Sequence, residues 1–394
     1  MNLFSIAAKI HRRFEALPLW LQALLLVACS RMFVVILYLV WRYHYGETAG
    51  LFDALFQYDS GWYAEIAREG YVGEGAIHLG SGEARWAFFP LVPFLEGVFS
   101  RFIGLDVSIA GVLLNTIFLY LLTWAAGAYV KVCARDGALL FMMLLNFGPY
   151  TIYYSTLYTE TLFALLVCLF LYCMRRGWWL RMGVCGMLAS ATRNLGIFLV
   201  FVLLAFCIQQ YWRKTKANAA KRSLPGFLAD VLRRPRLVLG TCFIPMGLFA
   251  YMAYLDRLVG DGLAFTNVML AWQRDPGNPL ANLLSGLNTL GANEFYFALW
   301  TLAALYLCCR QALRHNVDAV AGFLFVLIPL STSILCMPRY VACSFPVMEE
   351  ASDTLVHKGT LEKVFWYGFL LVLGVVTTWQ WFCRYTNGKG GKPR

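Results

Sequence analysis

The sequence predicts an all-α polytopic membrane protein, organised as one domain over residues 1–394, with about ten or eleven membrane crossings. Sixty per cent of the residues are hydrophobic, only 14% are charged, and the mean hydropathy is +0.61. A soluble chain of this length could not bury so much apolar surface. The sequence has no repeat, no heptads and no CxxC pair, so a repeat array, a coiled coil and a zinc site are not indicated.

The basic residues predict the orientation of the chain. Lys9, Arg12 and Arg13 precede the first apolar span, about 18–41, and further basic residues crowd the connection 212–235. Because lysine and arginine concentrate in cytoplasmic loops, both segments are predicted to be cytoplasmic, and the loop 42–106 is predicted to lie outside. We attribute the net charge of +11 to this anchoring rather than to nucleic-acid binding, since no soluble domain is present to read bases.

The loop 42–106 is far longer than a connection between two spans requires, and it is rich in acids and aromatic residues. Helical spacing of apolar side chains over 53–68, and again over Phe88 to Ile103, predicts two amphipathic helices at the membrane interface. The long loop is therefore the first candidate for a catalytic segment. A second outer loop is predicted at 258–292.

The remaining spans are predicted at about 107–132, 137–153, 161–174, 180–211, 236–257, 293–309, 317–336, 341–356 and 364–382. The stretch 180–211 begins and ends beside basic residues, so it must cross twice. Arg193-Asn194-Leu195-Gly196 is its predicted outer turn, because an arginine at mid-bilayer would cost a few kcal/mol. Glu349 and Glu350 make 341–356 a poor span. Eleven crossings with the C-terminus outside, or ten with the basic tail inside, both remain open.

Polar and aromatic side chains from separate loops are predicted to converge on the outer face. They are Asp53, Asp59, Trp62, Arg85 and Trp86 in the first loop, then Tyr158 and Glu160, then Arg193 and Asn194, then Gln273 and Arg274 with Arg339 and Tyr340. An interfacial tryptophan is usually a membrane anchor, and a single arginine usually reaches for lipid head groups. A gathering of Arg193, Arg274 and Arg339 with several acids is harder to explain in that way.

Glycosyl transfer from a lipid-phosphate sugar requires such a set. The acceptor hydroxyl loses a proton as it attacks the anomeric carbon, so a carboxylate beside it acts as a base. Asp59 is predicted for that role, in an inverting reaction that needs one base. Arg193 and Arg339, with Arg274 in reserve, are predicted to contact the lipid phosphate. The predicted sugar or acceptor contacts are Asp53, Trp62, Arg85, Trp86, Tyr158, Glu160, Asn194, Gln273 and Tyr340.

The residues Asp59-Ser-Gly-Trp-Tyr-Ala-Glu-Ile-Ala-Arg-Glu-Gly-Tyr71 and Trp86-Ala-Phe-Phe-Pro90 resemble the signature loop of the PIG-V family, the second mannosyltransferase of GPI-anchor assembly, and its bacterial relatives. The similar segments further along are Tyr158-Thr159-Glu160, Thr192-Arg193-Asn194-x-Gly196, Trp272-Gln273 and Arg339-Tyr340 with Phe345-Pro346. The resemblance covers about residues 52–346. It implies a GT-C-like glycosyltransferase fold, a polyprenyl-phosphate-mannose donor, and Asp59 as the acid essential for transfer.

Two departures from that pattern leave the acceptor open. Trp62 stands where family members carry histidine, and the insertion from Gly73 to Arg85 is longer than in the eukaryotic members. Both lie where an acceptor would enter. The expected acceptor is therefore a glycolipid or another glycan, and the other expected partners are the polyprenyl-phosphate-sugar donor and membrane lipids.

Alternatives also follow from the residues. The donor could carry another sugar, such as glucose, galactose or an aminoarabinose, since nothing in the sequence reads the stereochemistry. A transporter would show an internal repeat and charges deep within its spans. No cofactor is firmly implied, although Asp53, Asp59, Glu83 and Glu160 leave a divalent metal open. The expected location is a bacterial inner membrane, with the active site facing the periplasm.

Overall fold

The computed structural model describes residues 12–72, 76–78, 80–215 and 223–388. Within those ranges the secondary structure is helical, apart from one isolated bridge between Ile77 and Ala84. The predicted all-α class is therefore confirmed. Lys9, part of the 73–85 insertion, the middle of the basic connection and the last six residues of the tail lie outside the described residues.

The order of elements follows the prediction, with one correction: the single helix predicted over 53–68 is two helices, Leu51–Leu55 and Ser60–Glu69, because Tyr58 between them has a left-handed backbone. The first half of the chain forms α1 (Leu19–Tyr45), α2 (Leu51–Leu55), α3 (Ser60–Glu69), α4 (Leu91–Ile103), α5 (Val107–Val132), α6 (Ala138–Phe147), α7 (Glu160–Arg176), α8 (Trp179–Thr192) and α9 (Leu199–Lys214). The second half forms α10 (Leu224–Leu232), α11 (Pro235–Phe243), α12 (Met246–Val259), α13 (Ala264–Asn267), α14 (Pro279–Leu287), α15 (Asn293–Leu313), α16 (Asp318–Thr332), α17 (Met337–Ala342), α18 (Phe345–Val356) and α19 (Thr360–Gly388). Short 3₁₀ turns occur at Arg85–Ala87, Thr151–Ser155, Asn194–Phe198 and Val268–Trp272.

Six helical segments of the described chain are long and apolar enough to cross a membrane, which supports an integral membrane protein. They are Leu19–Tyr45, Val107–Val132, Asn194–Lys214, Pro235–Val259, Asn293–Leu313 and Thr360–Thr386. The predicted count of ten or eleven also includes shorter helices: α7 has 17 residues, α8 has 14 and α18 has 12. At 1.5 Å per residue these are shorter than a hydrocarbon core of about 30 Å. That count remains a prediction.

The last helix, α19, ends on the side of the first outer loop. Gly137, in the turn between α5 and α6 at the other end of the bundle, lies against Val356, just before α19 begins. Towards the C-terminal end of α19, Trp381 Nε1 donates to the Ala54 carbonyl at 3.1 Å, and Gln57 Nε2 donates to the Trp381 carbonyl at 3.1 Å. The first and last long helices therefore run in the same direction. This requires an odd number of crossings, which favours eleven over ten.

The two glutamates that make 341–356 a poor span are neutralised by arginines. Glu349, on α18, pairs with Arg135, and Glu350 lies 3.5 Å from Arg310 and 3.6 Å from Arg314. Both carboxylates are almost fully buried. A buried charge is tolerated when it is paired, so α18 can pack among apolar helices in spite of its acids.

The turn between α8 and α9 lies where the sequence predicts it, at Arg193 and Asn194. It is held close to α8 by Gly196, where an added Cβ would lie 2.3 Å from the backbone carbon of Ala189 and 2.3 Å from the nitrogen of Ser190. Only glycine allows this approach without moving the backbone. The packing of Gly196 therefore fixes the position of Arg193.

We expect Gly196→Ala to lower the free energy of unfolding by about 1–3 kcal/mol, because the new methyl group meets backbone atoms that cannot move aside. The measurement is thermal unfolding in detergent. Gly368→Ala is the matched control: it lies in α19, an added Cβ there meets nothing within 4 Å, and alanine is the better helix former. Equal melting temperatures for the two variants would contradict the close packing.

Candidate active site

A cavity of about 280 Å³ opens where segments far apart in the sequence meet. It is lined by the start of α3, by 87–89, by 158–160, by the turn 192–195, by the second outer loop between 265 and 276, by the end of α16 and by α17. The charged side chains among this lining are Asp59, Glu160, Arg193, Arg274 and Arg339. The central geometric expectation from the sequence, that these groups meet, is thus met by the described residues.

Asp59 lies immediately before α3, but its carboxylate does not cap that helix. It occupies the N-cap position, but its side chain makes no capping hydrogen bond. Instead Arg339 Nη1 donates to Asp59 Oδ2 at 3.2 Å, and the backbone N–H of Asp59 donates to the Tyr158 hydroxyl at 3.2 Å. The side chain of Asp59 is 35% exposed. It is therefore held in place yet open to the cavity.

Glu160, the first residue of α7, is the buried carboxylate of the site. Its Oε1 accepts from Arg193 Nη1 at 3.0 Å and lies 3.2 Å from Arg339 Nε, whereas its Oε2 has no hydrogen-bond partner among the described residues. Burial raises the pKa of the Glu160 carboxyl, but the Arg339 and Arg193 guanidiniums outweigh it, so the pKa lies below its ordinary value. Glu160 therefore stays ionised, and one of its two oxygens is buried without a partner among the described residues.

The arginines are joined through Tyr340. Arg274 Nη1 donates to the Tyr340 hydroxyl at 2.9 Å, and Arg339 Nη2 donates to the same oxygen at 3.3 Å. The guanidinium carbons of Arg193 and Arg339 lie 5.1 and 5.0 Å from the centroid of the Tyr340 ring. At these distances cation–π attraction contributes to holding the like charges of Arg193 and Arg339 beside one ring.

Strained backbone precedes three of the site segments. Tyr58 before Asp59, Gln273 before Arg274 and Cys336 before α17 have φ values of 53°, 55° and 65°. Non-glycine residues seldom adopt this left-handed conformation, which costs of order 1–3 kcal/mol at each position and concentrates at functional sites. The surrounding packing must therefore impose these conformations.

Eight of the predicted site residues line the cavity: Asp59, Tyr158, Glu160, Arg193, Asn194, Arg274, Arg339 and Tyr340. Five others are not among the described residues that line it: Asp53, Trp62, Arg85, Trp86 and Gln273. Their roles as sugar or acceptor contacts have no support in the cavity, and their local contacts show why.

Asp53 and Arg85 are engaged within the first outer loop itself. Asp53 Oδ2 accepts from the Gly50 N–H at 3.2 Å, at the start of α2. Arg85 is buried and donates to the carbonyls of Gly70 and Val72 and to Glu69 Oε2 at 2.6 Å. Both side chains stabilise the folded loop.

The other three residues pack against the cavity lining without being part of it: Trp62, Trp86 and Gln273. The Trp62 ring packs with the rings of Phe88 and Trp272, at centroid distances of 5.7 and 6.0 Å, and those two rings line the cavity. The Trp86 carbonyl accepts from the hydroxyl of Tyr251 at 2.8 Å. Gln273 provides the left-handed backbone that precedes Arg274. Each of these residues shapes the wall from outside it.

The lining also includes residues that sequence reasoning did not select as site residues: Tyr63, Phe88, Phe89, Thr159, Thr192, Phe265, Met269, Trp272, Pro329 and Thr332. Most of them adjoin a selected residue in the chain or lie one helical turn away from it. Proximity in the chain to a selected residue was the only sequence signal for these lining residues, and it does not indicate which neighbours face the cavity. Phe265, Pro329 and Thr332 have no selected neighbour, so only the tertiary structure identifies them.

Of the four carboxylates that left a divalent metal open, only Asp59 and Glu160 line the cavity, and arginines engage both. Within the described ranges, no group of three or more histidine, cysteine, aspartate or glutamate side chains is arranged to hold a metal ion. The donor set in this cavity therefore suits an anion better than a cation.

No protein-family model and no curated protein matches this sequence. Among solved structures, the archaeal oligosaccharyltransferase AglB from Archaeoglobus fulgidus, in complex with an inhibitory peptide and a dolichol-phosphate, is similar at 11% identity and a TM-score of 0.47, over 92% of this chain and 56% of that chain. The apo form of the Archaeoglobus fulgidus oligosaccharyltransferase is 13% identical, with a TM-score of 0.48, over 91% and 55%. The chain thus spans about half the length of these proteins. TM-scores below 0.5 do not establish a shared fold, so the GT-C-like architecture and the PIG-V resemblance remain predictions.

We expect Glu160→Gln to destabilise the protein by about 3–5 kcal/mol, because it leaves two buried guanidiniums without their shared counter-charge. Thermal unfolding in detergent measures this. Asp136→Asn, at an exposed position between α5 and α6, is the control and should be neutral. Adding Arg193→Gln to Glu160→Gln should restore part of the loss. A Glu160→Gln protein as stable as the wild type would show that the pairing contributes nothing.

Proposed function

We propose that the chain is a membrane mannosyltransferase, which transfers mannose from a polyprenyl-phosphate-mannose donor to a lipid-linked or other glycan acceptor. The observation that supports this most is the charged lining of the cavity. Three arginines and two carboxylates give the described lining a net charge of +1. A polyprenyl-phosphate sugar is a phosphodiester with one negative charge, which would make the cavity neutral.

The proposed reaction is an inverting displacement. The acceptor hydroxyl attacks the anomeric carbon, its proton passes to the Asp59 carboxylate, and the bond from that carbon to the phosphate oxygen breaks. The electron pair leaves with the polyprenyl phosphate. Asp59 suits the base because its carboxylate is held by Arg339 at 3.2 Å but is one-third exposed to the cavity.

Glu160 suits the recognition of the donor sugar. Its Oε2 is buried and has no described partner, and a carboxylate oxygen can only accept hydrogen bonds. A sugar hydroxyl that enters the cavity would supply the missing donor. Because burying such an oxygen without a partner costs about 1–3 kcal/mol, binding of a sugar there is favoured.

The proposed route for the lipid is the apolar side of the cavity. The apolar side chains of the lining include Leu195, Phe265, Met269, Ile328 and Pro329, and Pro329 lies inside α16. A polyprenyl chain would remain in contact with apolar side chains while its phosphate reaches the arginines. By the distribution of basic residues, we propose that the cavity faces the periplasm from a bacterial inner membrane.

The choice of mannose rests on the PIG-V resemblance alone. The cavity offers carboxylate and guanidinium groups that any hexose could use, so the same site with another polyprenyl-phosphate sugar is the alternative. Supplying membranes that contain the protein with individual polyprenyl-phosphate sugars, and following consumption of each, distinguishes the two. Consumption of none of them would contradict the proposed function.

We expect Asp59→Asn to lower transfer by at least about 100-fold, the usual contribution of a general base, while expression and melting temperature stay close to those of the wild type. The measurement is formation of the glycosylated product in membranes. Asp136→Asn carries the same chemical change at an exposed turn and should leave transfer unchanged. Near-normal transfer by Asp59→Asn would exclude Asp59 as the base.

A further inference from the structure

The phenolic proton of Tyr340 has no acceptor in the described part of the chain. A tyrosine hydroxyl offers two acceptor lone pairs and one donor. Arg274 Nη1 at 2.9 Å and Arg339 Nη2 at 3.3 Å are donors without accepting capacity, so the Tyr340 oxygen must accept from both. Its O–H is thereby left to donate elsewhere. Since Tyr340 lines the cavity, the ligand is the acceptor that the geometry leaves for it.

The three arginines of the cavity differ in how their charge is balanced. Arg193 pairs with Glu160 at 3.0 Å, and Arg339 pairs with both Asp59 and Glu160 at 3.2 Å. Arg274 makes no ion pair with a carboxylate in the described residues; its partners are the Tyr340 hydroxyl and, at 3.9 Å, the Cys336 sulfur. The uncompensated positive charge of the site therefore lies at Arg274, next to the unassigned Tyr340 proton.

The position of Tyr340 is fixed by its ring. Cation–π contacts from Arg193 and Arg339, at 5.1 and 5.0 Å, hold the ring. Burial raises the pKa of the Tyr340 phenol, but Arg274 and Arg339 outweigh it and the pKa lies below its ordinary value. A more acidic hydroxyl is a stronger hydrogen-bond donor to an anion.

We propose that Arg274 and the Tyr340 hydroxyl together bind the non-bridging oxygens of the donor phosphate, while Arg193 serves to fix Glu160. This rests on the proposed function and changes two assignments made from the sequence: Arg274 moves from reserve to principal phosphate contact, and Tyr340 from sugar or acceptor contact to phosphate contact. When the bond to the anomeric carbon breaks, the phosphate gains a second negative charge. The Tyr340 hydrogen bond then strengthens without transfer of its proton, so it stabilises the transition state more than the bound donor.

The test compares Tyr340→Phe and Arg274→Gln with Arg193→Gln. Tyr340→Phe removes only the hydroxyl and keeps the ring that the arginines contact, so it should lower kcat by about 10- to 100-fold, the usual effect of losing a hydrogen bond to a charged group. Tyr120→Phe is the control, because the Tyr120 ring packs against Trp124 on α5, away from the cavity lining. Unchanged kcat for Tyr340→Phe in an active protein would overturn the proposal.

Binding of undecaprenyl phosphate to the purified full-length protein in detergent gives a readout that does not depend on the sugar. Arg274→Gln should weaken this binding at least about 10-fold, and by more than Arg193→Gln does. A larger loss for Arg193→Gln would overturn the assignment. If the wild type binds undecaprenyl phosphate through Arg274 but forms no glycosidic bond from any donor, the proposed function fails while the phosphate site stands.

Discussion

The site depends on one buried oxygen. Glu160 Oε1 pairs with both Arg193 and Arg339, and these arginines come from the α8–α9 turn and from α17. Without this carboxylate, two guanidiniums would face each other in a largely buried space, which is unfavourable at low effective dielectric. Because Arg339 also pairs with Asp59, the same oxygen indirectly fixes the acid on the first outer loop. The charge of Glu160 thus links four segments of the chain: the start of α7, the α8–α9 turn, α17 and the first outer loop.

Helix ends bring these groups together. Asp59 precedes α3, Glu160 begins α7 and Arg193 follows α8. A helix end can present a charged side chain to the membrane surface without breaking the apolar face of the helix. The left-handed backbone at Tyr58, Gln273 and Cys336 then sets the direction of the following segment. Packing elsewhere must compensate for that strain.

A second cluster of buried ion pairs lies towards the other end of the bundle. Arg175 pairs with Asp318 at 2.7 Å, and Glu349 and Glu350 on α18 pair with arginines of other segments. Only Cys343 and Ser344 separate α17, which carries Arg339, from α18. The α17–α18 segment therefore carries buried ion pairs twice, at Arg339 and again at Glu349 and Glu350. Replacing such a pair by apolar residues is often neutral, whereas removing one partner alone is strongly destabilising.

Composition and charge pattern determined the all-α membrane class and the gathering of Asp59, Glu160, Arg193 and Arg339 from distant loops, but not the break before Asp59 that divides the helix predicted over 53–68. The predicted topology alone supports the gathering of these four residues, because it places all of them at the same face of the membrane, where the available area is small. The sequence could not say which way each loop residue faces. Asp53 and Arg85 stabilise their own loop, and Arg274, predicted as a reserve, is the arginine without a carboxylate partner among the described residues. Each of these roles depends on which hydrogen-bond donor lies within about 3 Å of which acceptor. Only the tertiary structure decides those partners, because packing brings them together and spacing along the chain does not.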